Sequence, residues 1–395
     1  MRKTLLASAA VLAGLAGAAS AQEIKIGILL GYTGPIESLT PGMADAAEVA
    51  IAEINAAGGV LGGRMLAGVR ADSTCIDAGA ATAAAERLIA FDKVAAIVGA
   101  DCSGVTRAVL ANVAVPNGIP MISPSATSPA LTTEPDNGLF FRTSPSDARQ
   151  GAVLADVMIE RGVKEIAVTY TNNDYGKGLA DAFQASYEAL GGKVLLSAAH
   201  EDGKADYSAE VGALSATGAD WLAVFGYADQ GGVGVIRAAV DSGAFDRFVL
   251  GDGMFSTSLI EAIGEGLEGT VGSVPWSEGE GSEAFVTVVT AAGKDPDGSF
   301  RRESYDAAAL FAMAMEAAGS TDGQAVAGKV LEVANAPGEK ILPGELAKAL
   351  EIIRAGGDVD YVGATGVELI GPGEASGTYR EYEVKGGEFT TVKFR

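Results

Sequence analysis

Between Val94 and Thr127 the chain reads VAAIVGADCSGVTRAVLANVAVPNGIPMISPSAT, and no other stretch restricts the fold as much. Val94 to Val98 is a short apolar run, Gly99 to Ser103 a turn, and Gly104 to Val115 has helical spacing. Ile119 to Ser123 is a second strand, and Pro124 to Ser128 is a loop rich in hydroxyls. Strand, helix and strand of these lengths make a βαβ unit, and such units build a parallel sheet. Ligands of open parallel sheets sit outside the carboxyl ends of the strands. Ser103 and the loop Ser125-Ala126-Thr127 both fall there, so the two turns are expected to line one crevice.

The chemistry of these turns suits a carboxylate. Ser103 is expected to cap the helix that begins at Gly104, whose first N–H groups are unsatisfied donors at the positive end of the helix dipole. A carboxylate could accept from them, from the Ser103 hydroxyl and from Thr127. The plainer alternative makes Ser103 only a cap, and Ser125 and Thr127 ordinary turn residues. These residues alone leave both readings open.

The alternation extends along the chain. Strand Ile24 to Leu30, helix Ala44 to Ala57, strand Met65 to Ala71 and helix Ala78 to Phe91 precede the central stretch, so a doubly wound domain is complete by Arg142. Thr143 to Gln150 then turns to Ser, Pro, Asp and Arg. The alternation restarts with helix Gly151 to Arg161 and strand Glu165 to Thr171, and continues to strand Phe248 to Leu250. Strand Gly269 to Val274 and Pro275-Trp276 suggest a return crossing. Helices Glu303 to Ala317, Ala325 to Ala334 and Pro343 to Arg354 are expected to rejoin the first domain. Tyr379 to Phe394 alternates around Gly386-Gly387 as a hairpin, assigned to the second. The fold class is therefore α/β, with two doubly wound parallel-sheet lobes.

The first residues, MRKTLLASAAVLAGLAGAASAQ, have the charge, apolar run and Ala19-Ser20-Ala21 site of an export signal, with cleavage expected near Ala21/Gln22. No Cys follows that point to carry a lipid, so no membrane anchor is expected. A chain of 395 residues has room for two domains, and its net charge of −23 argues against nucleic acid and anionic lipid as partners. Cys75 and Cys102 are the two cysteines. In an exported protein they are expected to form one disulfide, with a metal pair or two free thiols as the alternatives.

Catalytic machinery is mostly missing. His200, the single histidine, sits in a polar Ala-His-Glu-Asp-Gly context and is expected at the surface. There is no multi-histidine metal set, no C-x-x-C, no Walker A sequence and no strand-coupled G-x-G-x-x-G. No metal or cofactor is expected.

Read together, IKIGILLGYTGP, AEINAAGGVLGG, IVGADCSGVT, PMISPSATSPALT, FRTSPSDARQG, NDYGKGLADAF, FGYADQ, GDGMFSTSL and SYDAA resemble, in order and spacing, the type I periplasmic binding proteins of ABC transporters. Within them the chain is similar to the leucine/isoleucine/valine-binding family over nearly its whole length. The resemblance implies a periplasmic monomer that closes two lobes around a small-molecule ligand, an amino acid that it does not chemically change, and serves an inner-membrane ABC permease. It implies three crossover segments, near 143–147, 273–276 and 363–369, giving lobe 1 as 22–144 plus 275–363 and lobe 2 as 145–274 plus 364–395. It places the ligand carboxylate at Ser103 and Thr127. The ammonium falls at the Ser125 carbonyl, the Thr127 hydroxyl and Asp252, with Tyr175 and Tyr227 closing from the second lobe and Tyr305 touching the ligand side chain.

Three positions depart from the family pattern: Asp252 is one methylene shorter than the usual acid, Leu39 replaces a covering aromatic, and Asp101 replaces an apolar contact. A buried unpaired Asp101 would be costly, so it either faces solvent or meets a donor on the ligand or the protein. Alternatives to amino-acid delivery are a binder of another small carboxylate or amide, a sensory receptor, or, with least support, a hydrolase using Asp101 or Asp252 as base.

Overall fold

The structure is a computed structural model that describes residues 23–395; the expected export signal lies outside the described residues. Five strands open the chain: β1 (Ile24–Leu30), β2 (Leu66–Asp72), β3 (Ala96–Gly99), β4 (Met121–Ser123) and β5 (Phe140–Pro145). Five more follow: β6 (Glu165–Thr171), β7 (Lys193–His200), β8 (Leu222–Phe225), β9 (Phe248–Leu250) and β10 (Val271–Pro275). The last six are β11 (Glu339–Ile341), β12 (Val359–Tyr361), β13 (Leu369–Ile370), β14 (Glu374–Ala375), β15 (Tyr379–Lys385) and β16 (Glu388–Phe394).

Two seven-stranded sheets result, ordered β13-β14-β5-β4-β3-β1-β2 and β16-β15-β10-β9-β8-β6-β7. Their parallel parts share one winding, since 2-1-3-4-5 in the first matches 7-6-8-9-10 in the second. The strand order reverses between β1 and β3 in one sheet and between β6 and β8 in the other, and at such a switch point the loops leave in opposite directions and open a crevice. β3, β4, β8 and β9 are buried along their whole length, as strands covered on both faces by helices should be.

The helical block returns to the first sheet as expected. Helix Arg301–Ala318 packs on helix Thr40–Ala56 and on β3, β4 and β5. The hairpin β15-β16 extends the second sheet, with β15 antiparallel to β10.

The chain leaves the first sheet after Pro145, enters helix Asp147–Glu160, and comes back after Pro275. The third passage is corrected. β13 and β14 pair beside β5, so residues 364–375 stay with the first sheet and the chain crosses between Ala375 and Tyr379. Two-residue strands are too short to show a period. No described helix is long and apolar enough to cross a membrane.

Candidate functional site

The site is built at the two switch points. After β3 the backbone turns sharply at Gly99, whose φ is +129° and where an added Cβ would lie 2.2 Å from the Leu29 carbonyl oxygen. Only glycine lets β3 end so close to β1. The turn delivers Asp101, Cys102 and Ser103, and Cys102 is bridged to Cys75 at the end of β2, with Cα atoms 5.1 Å apart.

Asp101 does not face solvent, and its carboxylate is held by the protein's own donors. It is 1 % exposed, one oxygen accepting from the Ser73 hydroxyl at 2.7 Å and the other from the Gly31 N–H. Burial pushes its carboxyl up, and those two donors hold it back. It ties the ends of all three strands together, so the protein itself supplies the donors this departure required.

Ser103 is corrected from cap to first helical residue. Cys102 takes the extended cap conformation and makes no side-chain cap bond, and the helix runs Ser103–Val109. Ser103 Oγ instead accepts the Ser128 N–H at 3.1 Å, pinning the hydroxyl-rich loop to the helix start. Its own proton meets no acceptor among the described residues. The Ser125 hydroxyl donates to the Asp101 carbonyl at 3.1 Å, whereas the buried Thr127 hydroxyl has no partner.

Arg142 on β5 holds this loop from behind. Its guanidinium, 1 % exposed, donates to the carbonyls of Ala126 at 3.1 Å and Ser128 at 2.9 Å, and pairs with Glu374. Sequence reading assigned Arg142 no role, because in Phe140–Pro145, which reads FFRTSP, the arginine precedes a polar Thr-Ser-Pro run and nothing local marks it as buried.

From the second switch point come Tyr175, in the first turn of helix Asp174–Ala189, and Tyr227 after β8. Asn173 caps that helix by accepting the Gly176 N–H at 3.0 Å. The two rings stack with centroids 5.2 Å apart and an interplanar angle of 21°. Asp252, at the end of β9, is 1 % exposed. Its Oδ1 accepts from the Tyr175 hydroxyl at 2.6 Å and from the Gly253 N–H at 2.8 Å, and its Oδ2 has no partner. Burial pushes this carboxyl up to about 6 against the pull of those donors.

Asp101, Ser103, Ser125, Tyr175, Tyr227 and Asp252 meet around one narrow cleft, whose remaining wall includes Ile36, Leu39, Met43 and Phe300. The halves touch along its rim: the Ser38 N–H donates to Asp229 at 2.8 Å, and the Asp229 N–H to the Pro35 carbonyl at 3.1 Å. The arrangement is closed.

Two expectations fail. Tyr305 does not reach the cleft: its ring packs edge-on to Phe285 and its hydroxyl bonds Glu53 inside the first half. His200 is 1 % exposed, not a surface residue, because the last residue of β7 points inward despite its polar neighbours. No described group of three or more His, Cys, Asp or Glu is placed to hold a metal ion.

Residues 23–351 match the family model described as periplasmic binding protein. The leucine-, isoleucine-, valine-, threonine- and alanine-binding protein of Pseudomonas aeruginosa is 31 % identical over 330 residues, 82 % of this chain and 87 % of its own. Leu/Ile/Val-binding protein homolog 1 of Brucella melitensis is 33 % identical over 334 residues, 83 % of this chain and 87 % of its own. Among solved structures, a leucine binding protein from Thermotoga maritima superposes with a TM-score of 0.79 at 25 % identity, covering 94 % of this chain and 98 % of that one. With its two doubly wound sheets and a cleft at their facing switch points, the chain belongs to the periplasmic binding proteins, a family of ABC-transporter solute binders and not of enzymes.

Proposed function

We propose that the protein binds an α-amino acid with a small apolar side chain and delivers it to an inner-membrane ABC importer. One observation carries the reading: Asp252 Oδ2, buried and without a donor, belongs to the same cleft as Ser103, whose hydroxyl accepts the Ser128 N–H and keeps its own proton to donate. A lone buried carboxylate oxygen is costly, and an ammonium group would supply the missing donor while the carboxylate end meets Ser103 and Thr127. The wall of Ile36, Leu39, Met43 and Phe300 suits an aliphatic side chain. The relatives from Pseudomonas aeruginosa and Thermotoga maritima, named for aliphatic amino acids, support this class.

The second reading is an aromatic carboxylate. A solute binding protein from R. palustris in complex with 4-hydroxybenzoate shares the fold, with a TM-score of 0.77 at 19 % identity over 95 % of this chain and 97 % of that one. The stacked pair Tyr175 and Tyr227 would accept a ring, and Asp252 in its neutral form would tolerate an anion without an ammonium.

A thermal-shift panel of amino acids, their des-amino analogues and benzoates separates the two, because a bound ligand raises Tm. With the amino acid giving the largest shift, Asp252→Asn is expected to weaken binding by roughly 30-fold or more, the cost of removing one partner of a desolvated pair. The des-amino analogue should be nearly unaffected. A panel in which only benzoates shift Tm, or a neutral Asp252→Asn, overturns the amino-acid reading.

A further inference from the structure

The rim where the two halves meet carries more bonds than the two already described. Ser38 lies between β1 and helix Thr40–Ala56, in the first half, whereas Asp229 after β8 and Ser256 and Ser258 after β9 belong to the second. Ser38 is seated among those three side chains. Its N–H donates to Asp229 Oδ2 at 2.8 Å, and its hydroxyl oxygen lies 3.0 Å from Ser256 Oγ and 3.3 Å from Ser258 Oγ. The Asp229 N–H returns a bond to the Pro35 carbonyl at 3.1 Å. A second crossing joins the Ser299 hydroxyl of the first half to the Phe255 carbonyl of the second, at 3.0 Å.

The acceptor side of this contact needs nothing from the first half. The Ser258 hydroxyl donates to Asp229 Oδ1 at 2.6 Å, and Ser256 Oγ accepts the Ser258 N–H at 3.2 Å as the cap of helix Thr257–Ile263. These bonds hold the carboxylate with Oδ2 turned to the Ser38 N–H, and a bond from an N–H to a charged oxygen is stronger than one between neutral groups. Neither Ser38, Asp229 nor Ser299 lines the cleft. Yet Ser38 precedes Leu39, Asp229 follows Tyr227 by two residues and Ser299 precedes Phe300, and those three neighbours do line it. The rim therefore keeps wall pieces from both halves in register without touching what lies between them.

We propose that Asp229, preset by Ser258, is the positioning residue of a ligand-blind latch: it grips the Ser38 N–H once the halves have met and slows their parting, whichever molecule they enclose. Ser38 is exposed and Asp229 half-buried, so water takes over these groups when the halves part, and the latch alone is too weak to shut the protein. It prolongs a closure that the ligand has brought about. Retention is thus divided between two sets of residues: the cleft decides which molecule is kept, and the rim decides for how long. The latch serves an amino acid and an aromatic carboxylate alike, and so stands apart from the choice between those two readings.

Stopped-flow measurement of ligand release tests this, with L-leucine, L-valine and benzoate as probes. Asp229→Ala is expected to speed release by about tenfold, by one common factor for every probe that the wild type binds, and to leave the association rate unchanged. Asp229→Asn keeps an oxygen for the Ser38 N–H and should stay within about threefold of the wild type. Ser38→Ala removes only the hydroxyl contacts and should speed release by about threefold. A merely structural role would lower the urea midpoint of the ligand-free protein, which Asp229→Ala is expected to leave nearly unchanged. Release rates that Asp229→Ala does not alter overturn the proposal, as do factors that differ between probes by more than about threefold. Failure of the amino-acid reading shows instead in which probe binds the wild type, and does not alter this ratio.

Discussion

Histidine 200 gives the sharpest test of the packing. Its ring lies at the end of β7, with Nδ1 2.8 Å from the Thr169 hydroxyl, Nε2 unpartnered and the Tyr207 ring edge-on at 6.2 Å. Burial pushes its pKa down to about 4 from 6.5, the attraction of Glu210 offsetting only part of the penalty. The unfolded chain thus takes up a proton near pH 6.5 and the folded chain only near 4. A depressed histidine contributes stability that is complete above pH 6.5 and is lost as pH falls towards 4. A shift of about 2.5 units corresponds to roughly 3.4 kcal/mol in full, of which about 2.4 kcal/mol separates pH 7 from pH 4.5. His200→Gln keeps a hydrogen-bonding group and removes the titration. Urea unfolding of both proteins at the two pH values should show the wild type losing about 2.4 kcal/mol more than the variant. The buried acids Asp101, Asp252 and Glu303, whose carboxyls are raised, act with the opposite sign but equally in both proteins. Parallel losses, within about 0.5 kcal/mol, would refute the argument.

Two further outcomes follow from contacts described above. Replacing Cys75 and Cys102 together by Ser should cost roughly 3 to 4 kcal/mol of unfolding free energy, from a sequence separation of 27 residues, measured by urea titration under oxidising conditions. Arg142→Gln frees the carbonyls of Ala126 and Ser128, so calorimetry should show amino acid and des-amino analogue weakened alike, by about tenfold, in contrast to Asp252→Asn.

Much of this was legible because the winding rule acts on strings of residues. Apolar runs separated by helical spacing revealed the two sheets, and the ends of β3 and β4 located Ser103 and the loop at Thr127. What stayed hidden depends on single contacts between distant segments. The Ser103 hydroxyl turns to Ser128 instead of its own helix because Cys102 occupies the cap, which no spacing reveals. His200 was misread because Glu201 and Asp202 follow it, although the inward face of a strand is decided by alternation and not by the next loop. Tyr305 lies on a helix buried nearly all round, so periodicity did not distinguish the face towards the cleft from the face towards Glu53. Asp101 required knowing that Gly31 and Ser73 would converge on it.

The shared winding of the two sheets has a consequence for selectivity. On the proposed amino-acid reading, the donors for an anion come from the first sheet and the unpaired acceptor for a cation from the second, so neither half would recognise a zwitterion alone. A molecule with only one charged end satisfies one wall and leaves the other wanting, and the walls then have no common reason to meet. On that reading closure would act as a conjunction, reporting that both ends are present on the same molecule and at the right separation. A transporter that engages only the shut form would inherit that discrimination without having to inspect its cargo.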